Sequence, residues 1–398
     1  MTKIKNAIAG LVFMVGCSIL MTGCERNEEM EVNHNGPIRI TVNAANSTKA
    51  AAITTSSLEA AGGFVLDVIA DEDYTEVDEH GTPVGTPYPA GSYITSGGAA
   101  NVLYSSASHS YTPGSDVRPG TDATAGWYIY DTNGYEHYNW INGIKLRFWA
   151  RYPQDSEIDG GTNEGDLDVT VPGVDGSTES FTYYLPAAAP GSDATNQKDI
   201  LFAYNERVKQ KEDDSDDIDL TFNHALSEIR FCVSPDDETY DLNLHIKSIK
   251  IKNVPDGGSC VFDGAGTIDD GDMFTWTPSS SLENYSQAYN ASFFIKPSSG
   301  WSEASYVNSS HETKHLYVCD NALMMIPHTT GSTTTLEVTF WDTEYSTDVV
   351  REVNIGGDVW KPGHYYTYKI NAVKVGRSIS HSVYLIDWKD LTTIHDII

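Results

Sequence analysis

The sequence is poor in cysteine, with five in 398 residues, and poor in basic residues, with 25 Lys and Arg against 56 Asp and Glu. Three cysteines lie beyond the first two dozen residues, Cys232, Cys260 and Cys319, and none falls in C-x-x-C spacing. An odd, unspaced set is neither a disulfide framework nor a zinc site. Cys232 in Arg230-Phe-Cys-Val233 and Cys319 in Leu316-Tyr-Val-Cys319 read as small buried strand residues, with a bond between two of the three left open. A net charge of −31 excludes a nucleic-acid partner, because that needs a basic face to release counterions. No G-x-S-x-G, H-E-x-x-H or G-x-x-x-x-G-K-[ST] occurs, and no G-x-G-x-x-G opens a helix. Nothing therefore points to nucleophilic, zinc-hydrolytic or nucleotide chemistry, and the sequence reads as a non-enzyme without metal or cofactor. No internal repeat is evident, which argues against solenoids and propellers.

What is present is enough to fold. Hydrophobic residues make up 40% and aromatics 11% of the chain, too much apolar material for a disordered polyanion. The length allows two all-β domains at the larger end of the usual size range.

The first residues set the compartment. Lys3 and Lys5 precede a 17-residue apolar stretch from Ala7 to Gly23, which stops at Cys24 before Glu25-Arg26. The run falls short of the roughly 18 residues of a spanning helix and has the layout of a signal peptide. Leu20-Met-Thr-Gly-Cys24 resembles a bacterial lipobox, whose cysteine takes a diacylglycerol and becomes the new N-terminus. Cys17 is a competitor, but cutting there would leave Ile19-Leu20-Met21 on the mature chain. An ordinary secreted protein with an incidental Cys24 is the alternative. Removal of residues 1–23 takes away two lysines and no acids, leaving a charge of −33. With no polybasic patch, only acyl chains can hold such a protein on lipid. Glu25, Glu28, Glu29 and Glu31 resemble the acidic signal that sends some lipoproteins to the outer face of the outer membrane, or form a solvated tether.

Period-2 alternation dominates the rest. Ile38-Arg-Ile-Thr-Val42, Leu244 to Ile251, Thr334 to Trp341 and Tyr365 to Ala372 each put one face in a core. Further strands are expected at 64–69, 144–152, 167–171, 181–185, 200–204, 220–222, 229–233, 292–295, 323–326, 349–355 and 382–386. Asp71 to Ala125, rich in Ser, Gly, Thr and Pro, reads as long surface loops. The acidic run Gln210 to Asp219 lacks the glycine and glutamate of a calcium loop and reads as a solvated linker. His224, in Thr221-Phe-Asn-His-Ala-Leu-Ser-Glu-Ile229, is expected at a bend between strands, bonding the backbone rather than a substrate.

Five segments, in this order, carry a family resemblance: Ile144-Lys-Leu-Arg-Phe-Trp-Ala-Arg-Tyr-Pro153, Lys198-Asp-Ile-Leu-Phe-Ala-Tyr204, Ile218 to Ile229, Val359-Trp-Lys-Pro-Gly-His-Tyr-Tyr-Thr-Tyr368 and Asp387-Trp-Lys-Asp390. Downstream of a lipobox, this run resembles the fimbrillin-like (FimA/Mfa-type) lipoproteins. The resemblance implies an all-β chain with two tandem transthyretin-like (Greek-key) β-sandwich domains. The expected division is a signal peptide at 1–23, an acidic tether at 24–36, and domains at 37–211 and 212–398. It also implies a tip, accessory or stalk subunit of an adhesive surface fimbria. The implied partners are other fimbrial subunits, outer-membrane lipid through the acyl chains of Cys24, and a host or bacterial surface ligand. In polymerising members a protease removes the first strand, and a neighbouring subunit's strand fills the groove. Here Ile38, Ile40, Val42 and Ala44 would occupy that groove, with Arg39, Thr41 and Asn43 outward. The family's cleavage arginine falls on Lys49. The chain ends eight residues beyond Asp390, which favours a tip or accessory role over a stalk. The alternatives are a surface glycan-binding lipoprotein using Trp127, Tyr135, Tyr138 and Trp140, and, more weakly, a β-sandwich hydrolase.

Overall fold

The computed structural model describes residues 35–44, 58, 63–75, 88–90, 93–95, 102–105, 126–131, 134–135, 139–140, 144–153, 167–170, 178–186, 197–208, 217–233, 244–268, 271–288, 301–307, 313–319, 322–342, 346–372 and 379–387. These residues are nearly all strand, as the alternation requires, and form layered sheets.

The largest sheet has nine strands. Across it run β4 (Tyr93–Thr95), β3 (Val65–Ala70), β9 (Lys145–Tyr152), β12 (Leu201–Val208), β13 (Asp217–His224), β2 (Arg39–Ala44), β6 (Gly126–Asp131) and β5 (Val102–Ser105), with β7 (Gly134–Tyr135) paired to β6. A short ribbon of β1 (Asn35–Pro37) and β8 (Asn139–Trp140) precedes β2. A four-stranded sheet follows the order β10 (Leu167–Thr170), β11 (Thr178–Tyr184), β16 (Gly257–Asp263), β17 (Phe274–Pro278). A six-stranded sheet holds β19 (Trp301–Val307), β20 (Thr313–Cys319), β14 (Ser227–Val233), β24 (His364–Ala372) and β25 (Ile379–Asp387), with β21 (Leu323–Met325) beside β14. The last sheet is β18 (Leu282–Ala288), β15 (Leu244–Pro255), β22 (Thr335–Asp342) and β23 (Thr347–Asn354).

Two strands explain how the layers stack. On β13, Asp217-Ile-Asp-Leu-Thr-Phe alternates exposed and buried, so Ile218, Leu220 and Phe222 enter one core while Asp217, Asp219 and Thr221 meet water. The strand begins three residues earlier than expected, because Asp217 and Asp219 occupy its outer face rather than a linker. β9 is buried on both faces, since its residues from Leu146 to Tyr152 are all buried. Leu146, Phe148 and Ala150 join a core with Phe64, Leu66 and Val68 of the β3 segment and Leu220 and Phe222 of β13. Trp149, on the other face, joins Phe181 of β11, Phe262 of β16 and a core that runs on through Ile229, Ile249 and Tyr368.

That second core crosses the middle of the chain. β11 pairs with β16 over seven residues, from Thr178 opposite Asp263 to Tyr184 opposite Gly257. Phe202 of β12 lies 4.5 Å from Phe181, 5.2 Å from Phe262 and 6.2 Å from Phe274, ring centre to ring centre. The backbone leaves the nine-stranded sheet at His224 and enters the six-stranded sheet at Ser227.

The stretch 71–125, expected as loops, contains β4 and β5, short strands whose Gly- and Ser-rich flanks concealed them. The strand expected at 292–295 lies outside the described residues. Cys232 and Cys260 are buried thiols on β14 and β16, and neither is in a disulfide. Cys319 closes β20.

Candidate functional site

β2 occupies a slot between two strands far from it in sequence. It runs parallel to β13, with Ile40 opposite Ile218 and Val42 opposite Leu220. On its other side, Ile40 stands opposite Trp127 of β6, antiparallel. Ile38, Ile40 and Val42 are 7–8% exposed and lie in the core with Phe64 and Phe222, while Thr41 and Asn43 are exposed. Burying three branched aliphatic side chains contributes roughly 1.5–3 kcal/mol each, so the strand is held mainly by this apolar face. Trp140, which pairs with Asn35 in the ribbon, is buried against Phe148 at 5.5 Å and lies 5.5 Å beneath the Arg207 guanidinium.

A second constellation sits where the chain changes sheets. His224 Nδ1 lies 2.6 Å from Asp199 Oδ2, with both side chains buried. The expectation that His224 bonds the backbone is therefore corrected. The N–H of Ala225 makes the backbone bond at this bend, to Ile200 O at 2.8 Å, and the imidazole is left to the carboxylate. Gln197 Oε1 accepts from Met324 N at 2.9 Å, reaching into the six-stranded sheet. Glu228 is fully buried beside this pair and accepts from Arg230 Nε at 2.5 Å; the Arg230 guanidinium stacks 4.3 Å from Tyr365. Sequence reasoning missed Asp199, although it stands in the Lys198-Asp-Ile-Leu segment singled out above. A lone aspartate before an apolar run gives no sign of its partner 25 residues on.

Of the residues singled out from the sequence, the structure brings together Ile38, Ile40 and Val42. Cys24 and Lys49 lie outside the described residues, as do Tyr138 and the side chain of Tyr135. Trp140 is 2% exposed and Trp127 packs 5.2 Å from Phe64, so neither tryptophan offers an open face for stacking a sugar. The polar residues around Trp140 gave it the look of a loop aromatic, but the ribbon with β1 turns it inward. Among the described residues, no group of three or more His, Cys, Asp or Glu is placed to hold a metal.

A family model described as fimbrillin-like matches residues 109–388, about seven-tenths of the chain. The chain belongs to the fimbrillin-like family. Solved structures similar to this fimbrillin-like chain include a fimbrial protein from Bacteroides vulgatus, at 16% identity and TM-score 0.48, covering 89% of this chain and 99% of that one. A candidate cell adhesion protein from Bacteroides uniformis follows at 13% identity and TM-score 0.43, covering 89% and 98%. No curated protein matches the chain.

The buried pair gives the fimbrillin-like chain a testable pH response. Burial raises the Glu228 carboxyl above its ordinary range, and Arg230 offsets part of that. A carboxyl raised in the folded state contributes stability that is complete below its unfolded value and is lost as pH rises through the folded value. Wild type should therefore lose stability relative to Glu228→Gln as pH rises above the ordinary glutamate range. Urea unfolding of both proteins across that range measures the difference, and a flat difference would contradict the assignment.

Proposed function

We propose that this chain is a subunit of an adhesive cell-surface fimbria. In this reading it is exported as a lipoprotein on Cys24 to the outer face of the outer membrane, and it assembles with other subunits by strand exchange at the β2 slot. The observation that carries the proposal is the seat of β2. Its buried face is a single row of three aliphatic side chains, and its pairing partners, β13 and β6, are distant in sequence. Removing such a strand leaves an apolar groove and an unpaired strand edge, the two things an extended segment of another subunit can satisfy. The family assignment supports the same reading, since a fimbrillin-like chain is a fimbrial structural protein and not a member of an enzyme family.

The C-terminal strand β25 pairs along its whole length, from His364 opposite Asp387 to Ala372 opposite Ile379. With its own strand so engaged, the chain fits a tip or accessory subunit better than a stalk subunit. The two-domain division belongs to the same reading, with the passage between domains at Ala225–Leu226, where the backbone changes sheets, instead of at 211/212.

Cleavage after Lys49 would free β2. Exposure of the mature protein to a trypsin-like protease should release a fragment ending at Lys49 and convert monomer to higher assemblies. An added peptide spanning residues 36–45 should suppress that conversion. Mass spectrometry showing an intact segment from Cys24 through Ala50 on assembled protein would sink the cleavage step. Monomers that persist after β2 is lost would sink strand exchange itself.

A further inference from the structure

A cleft of about 450 Å³ lies apart from the β2 slot, bounded by the end of β15, by β17, by the first residue of β18 and by the loop 327–333. Its size is that of a small-molecule site. The apolar wall is Pro255, Trp276, Pro278, Leu282 and Pro327. Leu282 is 50% exposed.

The wall is preformed. Trp276 is tied from behind, its Nε1 donating to Ala225 O at 2.8 Å and its ring edge-on to Phe181 at 5.3 Å. Asn253 sits in a β-bulge between Ile251 and Val254 with a left-handed backbone, φ 60°. Its N–H donates to Asn284 Oδ1 at 3.0 Å and its Nδ2 to Thr333 O at 2.8 Å, which clamps the strand end to the loop. A held aromatic and three ring-locked prolines lose little freedom when a ligand arrives.

The polar lining then selects among ligands. Among the described residues, no Asp, Glu, Lys or Arg borders the cleft, on a chain of net charge −31. A phosphate or carboxylate would meet no cation from these residues, and an amine no anion. His328 is the one titratable group among them at the cleft. Its Nδ1 donates to Ile326 O at 2.7 Å, and its Nε2 is turned into the protein, closed to the cleft and without a hydrogen-bond partner among the described residues. Burial also lowers the pKa of this imidazole, which keeps it neutral. Thr329 and Thr333 add exposed hydroxyls at the rim. The fitting ligand is uncharged, with an apolar C–H face for the tryptophan and prolines and hydroxyls for Thr329 and Thr333. A pyranose has both, whereas an apolar peptide satisfies the wall and leaves the threonine hydroxyls unmet. We propose that this cleft binds a neutral sugar ring of a surface glycan.

The test uses the whole mature chain and a panel of neutral monosaccharides with their methyl glycosides, followed by saturation-transfer NMR. Gly331 lines the cleft, and a Cβ added there meets nothing nearer than Thr334 Oγ1 at 3.8 Å. Gly331→Leu therefore narrows the cleft without straining the fold. The expected result is saturable transfer from at least one neutral sugar. Gly331→Leu should weaken it about ten-fold or more at an unchanged unfolding midpoint, and Trp276→Phe should weaken it as well, with a lowered midpoint from the lost bond to Ala225 O. The proposal is overturned if no neutral sugar saturates, if Gly331→Leu binds as wild type does, or if sialylated or sulfated sugars bind in preference. It is also overturned if a neutral proline-rich peptide is the ligand that Gly331→Leu excludes. Failure of assembly at the β2 slot would leave this outcome unchanged, so the two readings fail separately.

Discussion

Replacing Phe202 by alanine is expected to destabilise the whole protein by about 3–5 kcal/mol, in one cooperative transition. The side chain is fully buried and touches rings from both sides of the chain's midpoint: Phe181 on β11, Phe262 on β16 and Phe274 on β17. Truncation leaves a cavity that these rings cannot close, because each is fixed by a further ring: Phe181 by Trp276, Phe262 by Trp149 and Phe274. The location adds a second expectation. If the shared core joins the halves, Phe202→Ala should shift the unfolding of probes in both by the same amount. Two tryptophan reporters separate this from a local effect, Trp140 of the β1–β8 ribbon in the core with Phe64 and Phe222, and Trp360 beside β24. Keeping each as the sole tryptophan in otherwise Trp→Phe backgrounds, urea titrations should give coincident midpoints before and after the change. Separate midpoints, with only one moving, would mean that the shared sheet is a contact and not a weld.

Why that weld was not legible in the sequence follows from what strand patterns encode. Alternation reports which residues of one strand share a face, so Ile38, Ile40 and Val42 and the run through Leu220 and Phe222 could be read as core faces directly. It carries nothing about partners. That β2 would lie parallel to β13, or that β11 would pair with β16 across the midpoint, depends on contacts between segments far apart in the chain. The acidic run before Leu220 looked like a boundary because charge density marks solvent. Asp217 and Asp219 do face solvent, but from a strand already paired in the first sheet. His224 was legible as a residue at a bend, and its role was read toward the backbone because no carboxylate stood at matched spacing. Asp199 reaches it through the pairing of Leu201 with His224. Trp140, an aromatic among polar neighbours, is turned into the core by a two-residue ribbon.

Asp67→Ala is expected to cost about 3–5 kcal/mol although the change removes a single carboxylate from the middle of β3. Asp67 is 5% exposed, and its Oδ2 accepts from Arg151 Nη1 at 2.7 Å, on a strand whose flanking residues are wholly buried. The arginine cannot shed its charge, since its pKa stays above about 12 in proteins. Losing the carboxylate therefore leaves a guanidinium in a low-dielectric site rather than a neutral group. That desolvation penalty, and not the strength of the ion pair itself, sets the size of the effect. The two causes are separable. Arg151→Met in the Asp67→Ala background removes the stranded charge while keeping an apolar stem of similar length, and should recover more than half of the loss. Asp67→Leu with Arg151→Met should come within about 1–2 kcal/mol of wild type, because a well-packed apolar pair often matches a buried ion pair. Arg147, 1% exposed and paired with Asp71, each four residues from the corresponding partner of the first pair, supplies the comparison. Asp71 is one-fifth exposed and also meets Lys145 at 2.8 Å. Water can therefore reach Asp71, and Asp71→Ala should cost less than Asp67→Ala under the same urea titration. If Arg151→Met restores nothing, the cost of losing Asp67 lies in backbone or packing changes on β3, and the charge argument for this strand pair is wrong.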